Sequence, residues 1–158
     1  MLGRTYDEQV CSVARALEAV GERWSLLIVR DVHLGLHRFE DLRLELGIAR
    51  NVLTTRLNHL VDAGVLERRP YSDHPQRWEY HLTRVGLELG LPIVALMQWG
   101  DRHLLEPGQR PPRQARHRTC HGTVDVGYSC RSCATTVPAR EVEVLPAMTA
   151  PAAADRGA

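Results

Sequence analysis

Apolar residues recur at helical spacing along the first part of the chain. This pattern predicts a helix over 7–20, a second from about 23 to 33 and a short third over 39–46. The stretch LGLHR (34–38) is predicted to be a turn. Because each helix carries one apolar stripe, we expect the three to pack around a shared core.

A fourth helix is predicted over about 50–63, and its polar face is unusual. Asp62 is the only acid on it, whereas an ordinary solvated helix face pairs glutamates with arginines. An acid on a DNA-facing surface would oppose a phosphate, and short amides and hydroxyls reach base edges. The alternative for Arg56 is an ion pair with an acid of its own domain. The predicted DNA-contact set of this helix is Arg50, Asn51, Thr54, Thr55, Arg56 and Asn58.

After Gly64 the period changes to that of strands. Segments 65–71 and 77–82 are rich in β-branched and aromatic residues, and turn formers lie between them, so a β-hairpin is predicted. Helices followed by such a hairpin give a winged helix-turn-helix, in which the second helix of the pair enters the major groove. The fold class is therefore mainly α with a small β-hairpin (α+β). The wing, about 65–82, would contact the backbone through Arg69, His74 and Arg77, unless Arg77 pairs with Asp73 or Glu79.

A last helix is predicted near 84–105, capped by Thr83 and kinked or broken by Pro92. Its stretch Leu91–Met97 is apolar nearly all round the helix. Such a helix at the end of a small domain usually meets a partner chain, so a homodimer is expected.

Charge does not by itself indicate a nucleic-acid binder. The 158 residues contain 20 arginines and no lysine, and the net charge is +1. Residues 1–106 hold 13 arginines against 15 acids, so any DNA-facing surface must be a local patch. A protein–protein adaptor with a degenerate winged helix therefore stays open. The sequence has no apolar signal region and no stretch that could span a membrane, so a cytoplasmic protein is predicted. It also has no group of residues typical of a catalytic site, so enzyme activity is not predicted.

The chain is predicted to divide into four segments. The DNA-binding and dimerisation domain covers 1–106, and a Pro/Arg-rich linker covers 107–116. A Cys/His segment covers 117–145, and the Ala/Pro-rich end, 146–158, is predicted to be disordered. No internal repeat is evident.

Several motifs in order resemble the HxlR-type family of bacterial winged-helix regulators. They are Cys11, GERWSLLIVRDV (21–32), HRFEDLRLELGIARNVLTTRLNHLVDAGVLERRPY (37–71), HPQRWEYHLTRVGLEL (74–89) and a terminal WG. The resemblance implies homodimers, paired through their first and last helices, that bind pseudo-palindromic operators and repress or activate nearby genes. Relatives often have Ser where this chain has Ala49, so a side-chain cap of the recognition helix is missing.

Two further expectations concern the cysteines. Some HxlR-type regulators sense oxidants through a cysteine at the place of Cys11, which makes it a redox-sensing candidate; the alternative is a small packed side chain. In the tail, HRTC and CRSC give H-x2-C-x9-C-x2-C, the spacing of a small zinc ribbon with a structural Zn²⁺. His121 competes for the first position, and idle thiols, a disulfide or a thiol-disulfide protein using Cys130 and Cys133 are the alternatives. The predicted metal ligands are His117, Cys120, Cys130 and Cys133.

Overall fold

The computed structural model describes residues 11–145. Its first four helices are α1 (Ser12–Val20), α2 (Ser25–His33), α3 (Phe39–Leu46) and α4 (Arg50–Asp62). Cys11 has extended backbone, so α1 begins later than the predicted residue 7. The earlier part of that prediction lies outside the described residues, as does the predicted disordered end. The other three helices confirm the predicted elements to within two residues.

The core lies where α2, α3, α4 and the wing meet. Ile28 of α2, Leu42 of α3 and Leu57 of α4 are completely buried, and Tyr80 of the wing packs against them. Burying a side chain of this size stabilises the fold by about 1.5–3 kcal/mol. The apolar stripes of α2, α3 and α4 therefore face this core, as the periodicity predicts. In α1 only Ala14 and Val20 are buried, whereas Val13 and Leu17 of its predicted stripe are exposed.

Both ends of α4 are shaped by backbone rather than by side-chain caps. Ala49 precedes the helix with extended backbone and no side-chain hydrogen bond, as expected from its missing hydroxyl. At the other end Gly64 has a left-handed φ of 69°, and the Val65 N–H donates to the Leu60 carbonyl at 2.9 Å. Glycine adopts this conformation without a Cβ penalty, so Gly64 ends the helix and turns the chain into the wing.

The wing is an antiparallel hairpin of β1 (Leu66–Asp73) and β2 (Gln76–Leu82). A bulge between Pro70 and Ser72 shifts its register. The segment before α3 also joins the hairpin, because Arg38 bridges Glu79 and the Tyr80 N–H donates to the His37 carbonyl at 2.8 Å. The prediction that all of 34–38 is a turn is therefore wrong for His37 and Arg38, because their backbone pairs with β2.

The last predicted helix is broken in two, α5 (Arg84–Glu88) and α6 (Gly90–His103). Thr83 caps α5 by accepting a hydrogen bond from the Gly86 N–H at 3.1 Å, as predicted. Pro92 lies in the first turn of α6, where the missing N–H would have no helical partner. Because α5 ends at Glu88 and α6 begins at Gly90, Pro92 falls in the first turn and not in a helix interior. No helix in the described part of the chain is both long and apolar enough to cross a bilayer.

The chain divides into two units, the first ending at Arg113 and the second beginning at Gln114, inside the predicted linker. The second unit contains β3 (Tyr128–Ser129), which pairs with β4 (Thr136–Val137), and a 3-10 turn over Ala139–Glu141. A second, smaller hairpin is closed by a bridge between Arg116 and Thr123.

Candidate nucleic-acid interface

The exposed face of α4 presents short polar groups. Asn51, Thr54, Thr55 and Asn58 are exposed, whereas the leucines on the opposite side are completely buried. The hydroxyls of Thr54 and Thr55 donate to the backbone carbonyls four residues earlier, at 2.9 and 3.0 Å. Their methyl groups and remaining lone pairs stay available to a ligand. The helix thus offers acceptors, amide donors and methyl groups on one surface.

Arg50 begins α4 and is held by α3. Its guanidinium forms an ion pair with Glu40 and lies 5.1 Å from the centre of the Phe39 ring. Glu40 also accepts from Arg43 at 2.8 Å, and these arginines hold the pKa of the Glu40 carboxyl below its usual value. An acid therefore lies next to the polar face of α4, although α4 itself supplies none before Asp62. Sequence reasoning on the helix alone missed this contact.

Arg56 is not presented with the other polar residues. Its guanidinium pairs with Glu22 at 2.9 Å, and only 25% of its side chain is exposed. Its buried Nε has no hydrogen-bond partner among residues 11–145. The structure thus shows the ion pair within the domain that the sequence analysis left open as the alternative for Arg56.

The wing carries basic groups in two different states. Arg69 is bound to Glu67 of its own strand, with Nε 2.8 Å from the carboxylate. His74 and Arg77 are exposed at the tip, where Arg77 faces Ser72 across the hairpin. No ion-pair partner for Arg77 occurs among the described residues, so its cation is available to a phosphate.

An open cleft of about 590 Å³ lies between the starts of α3 and α4 and the wing. In it Arg38 lies 4.7 Å from the centre of the Tyr71 ring and donates to Glu79 at 3.1 Å. This hydrogen bond raises the pKa of Arg38 and lowers that of Glu79. Glu79 is therefore engaged by Arg38, not by Arg77. The sequence did not predict this role of Arg38, because it depends on the backbone pairing of residue 38 with β2. The lining residues are Arg38, Phe39, Glu40, Asp41, Arg50, Tyr71, Gln76, Arg77, Trp78 and Tyr80.

All four cysteines are free thiols, and Cys11 is exposed immediately before α1. In the second unit the structure brings the predicted metal ligands together in pairs. His117 Nδ1 lies 3.1 Å from Cys120 Sγ, and the Cys133 thiol is hydrogen-bonded to Cys130 and lies 2.9 Å from the Thr135 hydroxyl. Hydrogen bonding from Thr135, and from Cys130, lowers the pKa of the Cys133 thiol. Across residues 11–145 no three His, Cys, Asp or Glu side chains converge as a group that could hold a metal ion.

A helix-turn-helix with a polar, exposed second helix and an adjoining wing defines a winged-helix DNA-binding transcriptional regulator. The comparisons with known proteins agree with this class. The chain belongs to the HxlR-like helix-turn-helix family, whose family model matches residues 19–107. The predicted fold class and family are therefore confirmed.

Relatives extend over most of the chain. An HTH-type transcriptional regulator of Mycobacterium tuberculosis is 47% identical over 135 residues, which cover 85% of each protein. Among solved structures, PA1607, a proposed transcription factor, is 32% identical with a TM-score of 0.78, covering 88% of this chain and 96% of PA1607. The oxidised form of the redox regulator HypR is 27% identical, and its TM-score is 0.56. The match covers 61% of this chain and 100% of HypR.

Proposed function

We propose that the chain binds a pseudo-palindromic operator as a homodimer in the cytoplasm, with α4 in the major groove and the wing on the sugar-phosphate backbone. The observation that carries this proposal is the exposed face of α4, whose amides and hydroxyls have no acid among them. The major groove admits an α-helix, asparagine suits adenine, and the threonine methyl packs on thymine. Asn51, Thr54 and Thr55 supply these groups, and Asn58 supplies its amide N–H groups, because its side-chain oxygen accepts from Arg68.

Arg50 takes part differently from the uncharged residues. It is well exposed, with 68% of its side chain accessible, yet it already pairs with Glu40. To bind a guanine or a phosphate, its guanidinium must exchange one anionic partner for another. We therefore assign sequence discrimination mainly to the uncharged groups of α4.

The wing supplies backbone contacts. Phosphate contacts position a protein on the duplex without reading its sequence, and they come most often from arginine and lysine. The exposed Arg77, with His74 beside the same turn, is the group placed for this role. Arg69 would first have to leave Glu67, so it contributes less.

The dimer uses the apolar residues that α1 and α6 leave exposed. Val13 and Leu17 of α1 and Leu91, Leu96 and Trp99 of α6 are exposed. Several large apolar side chains left exposed on two helices favour an interaction site, and a two-fold dimer matches a pseudo-palindromic operator. The apolar character that the sequence shows around α6 thus finds its partner in a second copy.

The α4 assignment is tested with an operator selected from randomised duplexes. The double variant Asn51→Ala/Thr54→Ala should lose at least about tenfold in affinity, because each base contact is worth about 1–3 kcal/mol. Fluorescence anisotropy measures the affinity, and Gln109→Ala, which removes an exposed amide outside α4, is the control. Unchanged affinity of the double variant would remove α4 from the interface. An affinity for duplex DNA that does not vary with salt would favour the protein–protein adaptor.

The dimer is tested by placing a charge on its surface. Leu96→Glu should convert the dimer to a monomer in analytical ultracentrifugation, because an unpaired carboxylate would be buried between the copies. Leu44 of α3 is exposed to a similar degree, 69% against 54%, so Leu44→Glu is the matched control and should stay dimeric. A wild-type protein that sediments as a monomer would contradict the proposal.

A second function, a thiol response through Cys11, is favoured by one observation: the thiol is exposed beside the α1 surface assigned to the dimer. HypR, similar in fold, is a redox regulator. In this proposal peroxide oxidises the two Cys11 thiols of a dimer to one disulfide and is reduced to water. Cys11→Ser should abolish any effect of hydrogen peroxide on operator affinity, whereas Cys120→Ser should not. An undiminished effect in Cys11→Ser would rule out Cys11 as the sensor.

A further inference from the structure

The second unit lacks the feature that stabilises the first. None of the residues from 114 to 145 is buried, so this described part of the unit has no hydrophobic core of its own. Small units without an apolar core usually need a disulfide, a metal or a partner to hold one conformation. All its cysteines are free, which leaves a metal ion as the crosslink that its own side chains could bind.

The described part of the unit contains two turns with the same backbone hydrogen bonds. In the first, the His121 N–H donates to the His117 carbonyl and the His117 N–H donates to the Gly122 carbonyl, both at 2.9 Å. In the second, Ala134 donates to Cys130 and Cys130 donates to Thr135, both again at 2.9 Å. The two turns therefore correspond position by position, with an offset of thirteen residues.

The hairpins that carry the turns correspond as well. The first closes through Arg116 and Thr123, and the second pairs Ser129 with Thr136, which are the equivalent positions. The segments ARHRTCHGTV (115–124) and YSCRSCATTV (128–137) share Arg, Cys, Thr and Val in register. The prediction that the chain has no internal repeat is therefore wrong, because the backbone pairing of the two hairpins repeats with the same offset.

Each turn also has a residue with left-handed backbone directly after its last cysteine. His121 and Ala134 both have φ of 56°, although neither is glycine. Such a conformation costs about 1 kcal/mol or more and persists only where surrounding structure requires it. The same strain at the same place in both turns shows that the two turns share one backbone conformation as well as one hydrogen-bond pattern.

From this repeat we infer that the second unit binds one Zn²⁺ through His117, Cys120, Cys130 and Cys133, two ligands from each turn. Thiolate and imidazole are the donors that zinc prefers, and two pairs complete its tetrahedral set. The repeat also distinguishes between the two histidines. His117 is equivalent to the ligand Cys130, whereas His121 is equivalent to Ala134, which has no ligating atom.

Zinc would join two pairs that the protein forms on its own. The described residues hold the ligands as pairs and not as a group of three or more, so the metal supplies the connection between the turns. A set of four protein ligands leaves no position for water or substrate, which makes the site structural and not catalytic. Its role is to hold the two hairpins together where no apolar core does so.

The test is metal content of the full chain, purified under reducing, oxygen-free conditions and dialysed against a chelator resin. We expect about one zinc per chain by elemental analysis, and cobalt substitution should give the absorption of a tetrahedral cobalt–thiolate site. Absence of bound metal in the fully reduced wild type would overturn the inference. So would a Cys130–Cys133 disulfide formed under the same reducing conditions.

Matched variants test the ligand assignment. His117→Ala and Cys133→Ser should lose stoichiometric zinc, whereas His121→Ala should retain it, because alanine already occupies the equivalent position in the second turn. Loss of zinc in His121→Ala with retention in His117→Ala would overturn the assignment. The cobalt spectrum of the wild type does not depend on how well any variant folds. Metal content is also independent of DNA binding, so the proposed function can fail while this inference stands.

Discussion

The two units of this chain are organised around opposite principles. The first surrounds a set of completely buried side chains from α2, α3, α4 and the wing, and it exposes the amides and hydroxyls of α4. The second, over residues 114–145, buries no residue and is defined by backbone hydrogen bonds within two equivalent turns. Apolar burial scales with chain length, so the short unit must obtain its stability elsewhere.

This difference determines what each unit can contribute. A surface that reads DNA needs side chains held in place from behind, and α4 has this support in Leu53, Leu57 and Leu60. The described part of the second unit has no such support, and the side chains of His117, Cys120, Cys130 and Cys133 form hydrogen bonds within its own turns. We therefore expect DNA recognition to belong to the first unit and metal binding to the second.

The largest effect should come from removing zinc. Structural zinc supplies about 10–16 kcal/mol of apparent binding energy to small domains, which far exceeds any contact seen in the second unit. A strong chelator should therefore remove amide-exchange protection from residues 114–145 while residues 11–113 keep theirs. Exchange measured by mass spectrometry with and without chelator distinguishes the units. An equal loss of amide-exchange protection in both units would show that the second unit does not depend on a metal more than the first.

The second effect, smaller but still large, concerns the core of the first unit. Leu57→Ala removes a completely buried side chain of α4 and should cost about 2–5 kcal/mol of unfolding free energy. Denaturant titration of the first unit measures it, with the exposed Leu44→Ala as control. Zinc content should be unchanged in both variants. A cost below about 1 kcal/mol would contradict the view that this core stabilises the unit.

Periodicity predicted α2, α3, α4 and the wing well, because each of these elements shows its buried face in its own residues. Leu53, Leu57 and Leu60 recur at helical spacing, and the structure places all three in the core. Thr83 and Pro92 likewise act through hydrogen bonds within a few residues, so the cap and the helix break were both predictable.

Contacts between elements could not be predicted in the same way. The ion pairs Arg56–Glu22 and Arg50–Glu40 join residues that are distant in sequence, and several acids could have served each arginine. The bridge from Arg38 to Glu79 depends on how the wing folds back on the start of α3. The repeat in the tail was missed because backbone hydrogen bonds define it, and few of its side chains are shared.

The smallest effect sharpens the assignment of DNA binding to one unit. Arg77 at the wing tip and Arg118 in the second unit are both exposed arginines. If only the first unit contacts the backbone, Arg77→Ala should lower the dependence of log affinity on log salt by about one unit, since one phosphate contact is lost. Arg118→Ala should leave this slope unchanged. Anisotropy titrations of the selected operator at several salt concentrations measure both. A slope reduced equally by Arg118→Ala would mean that the second unit also lies on the DNA, and its two turns would then be part of the interface.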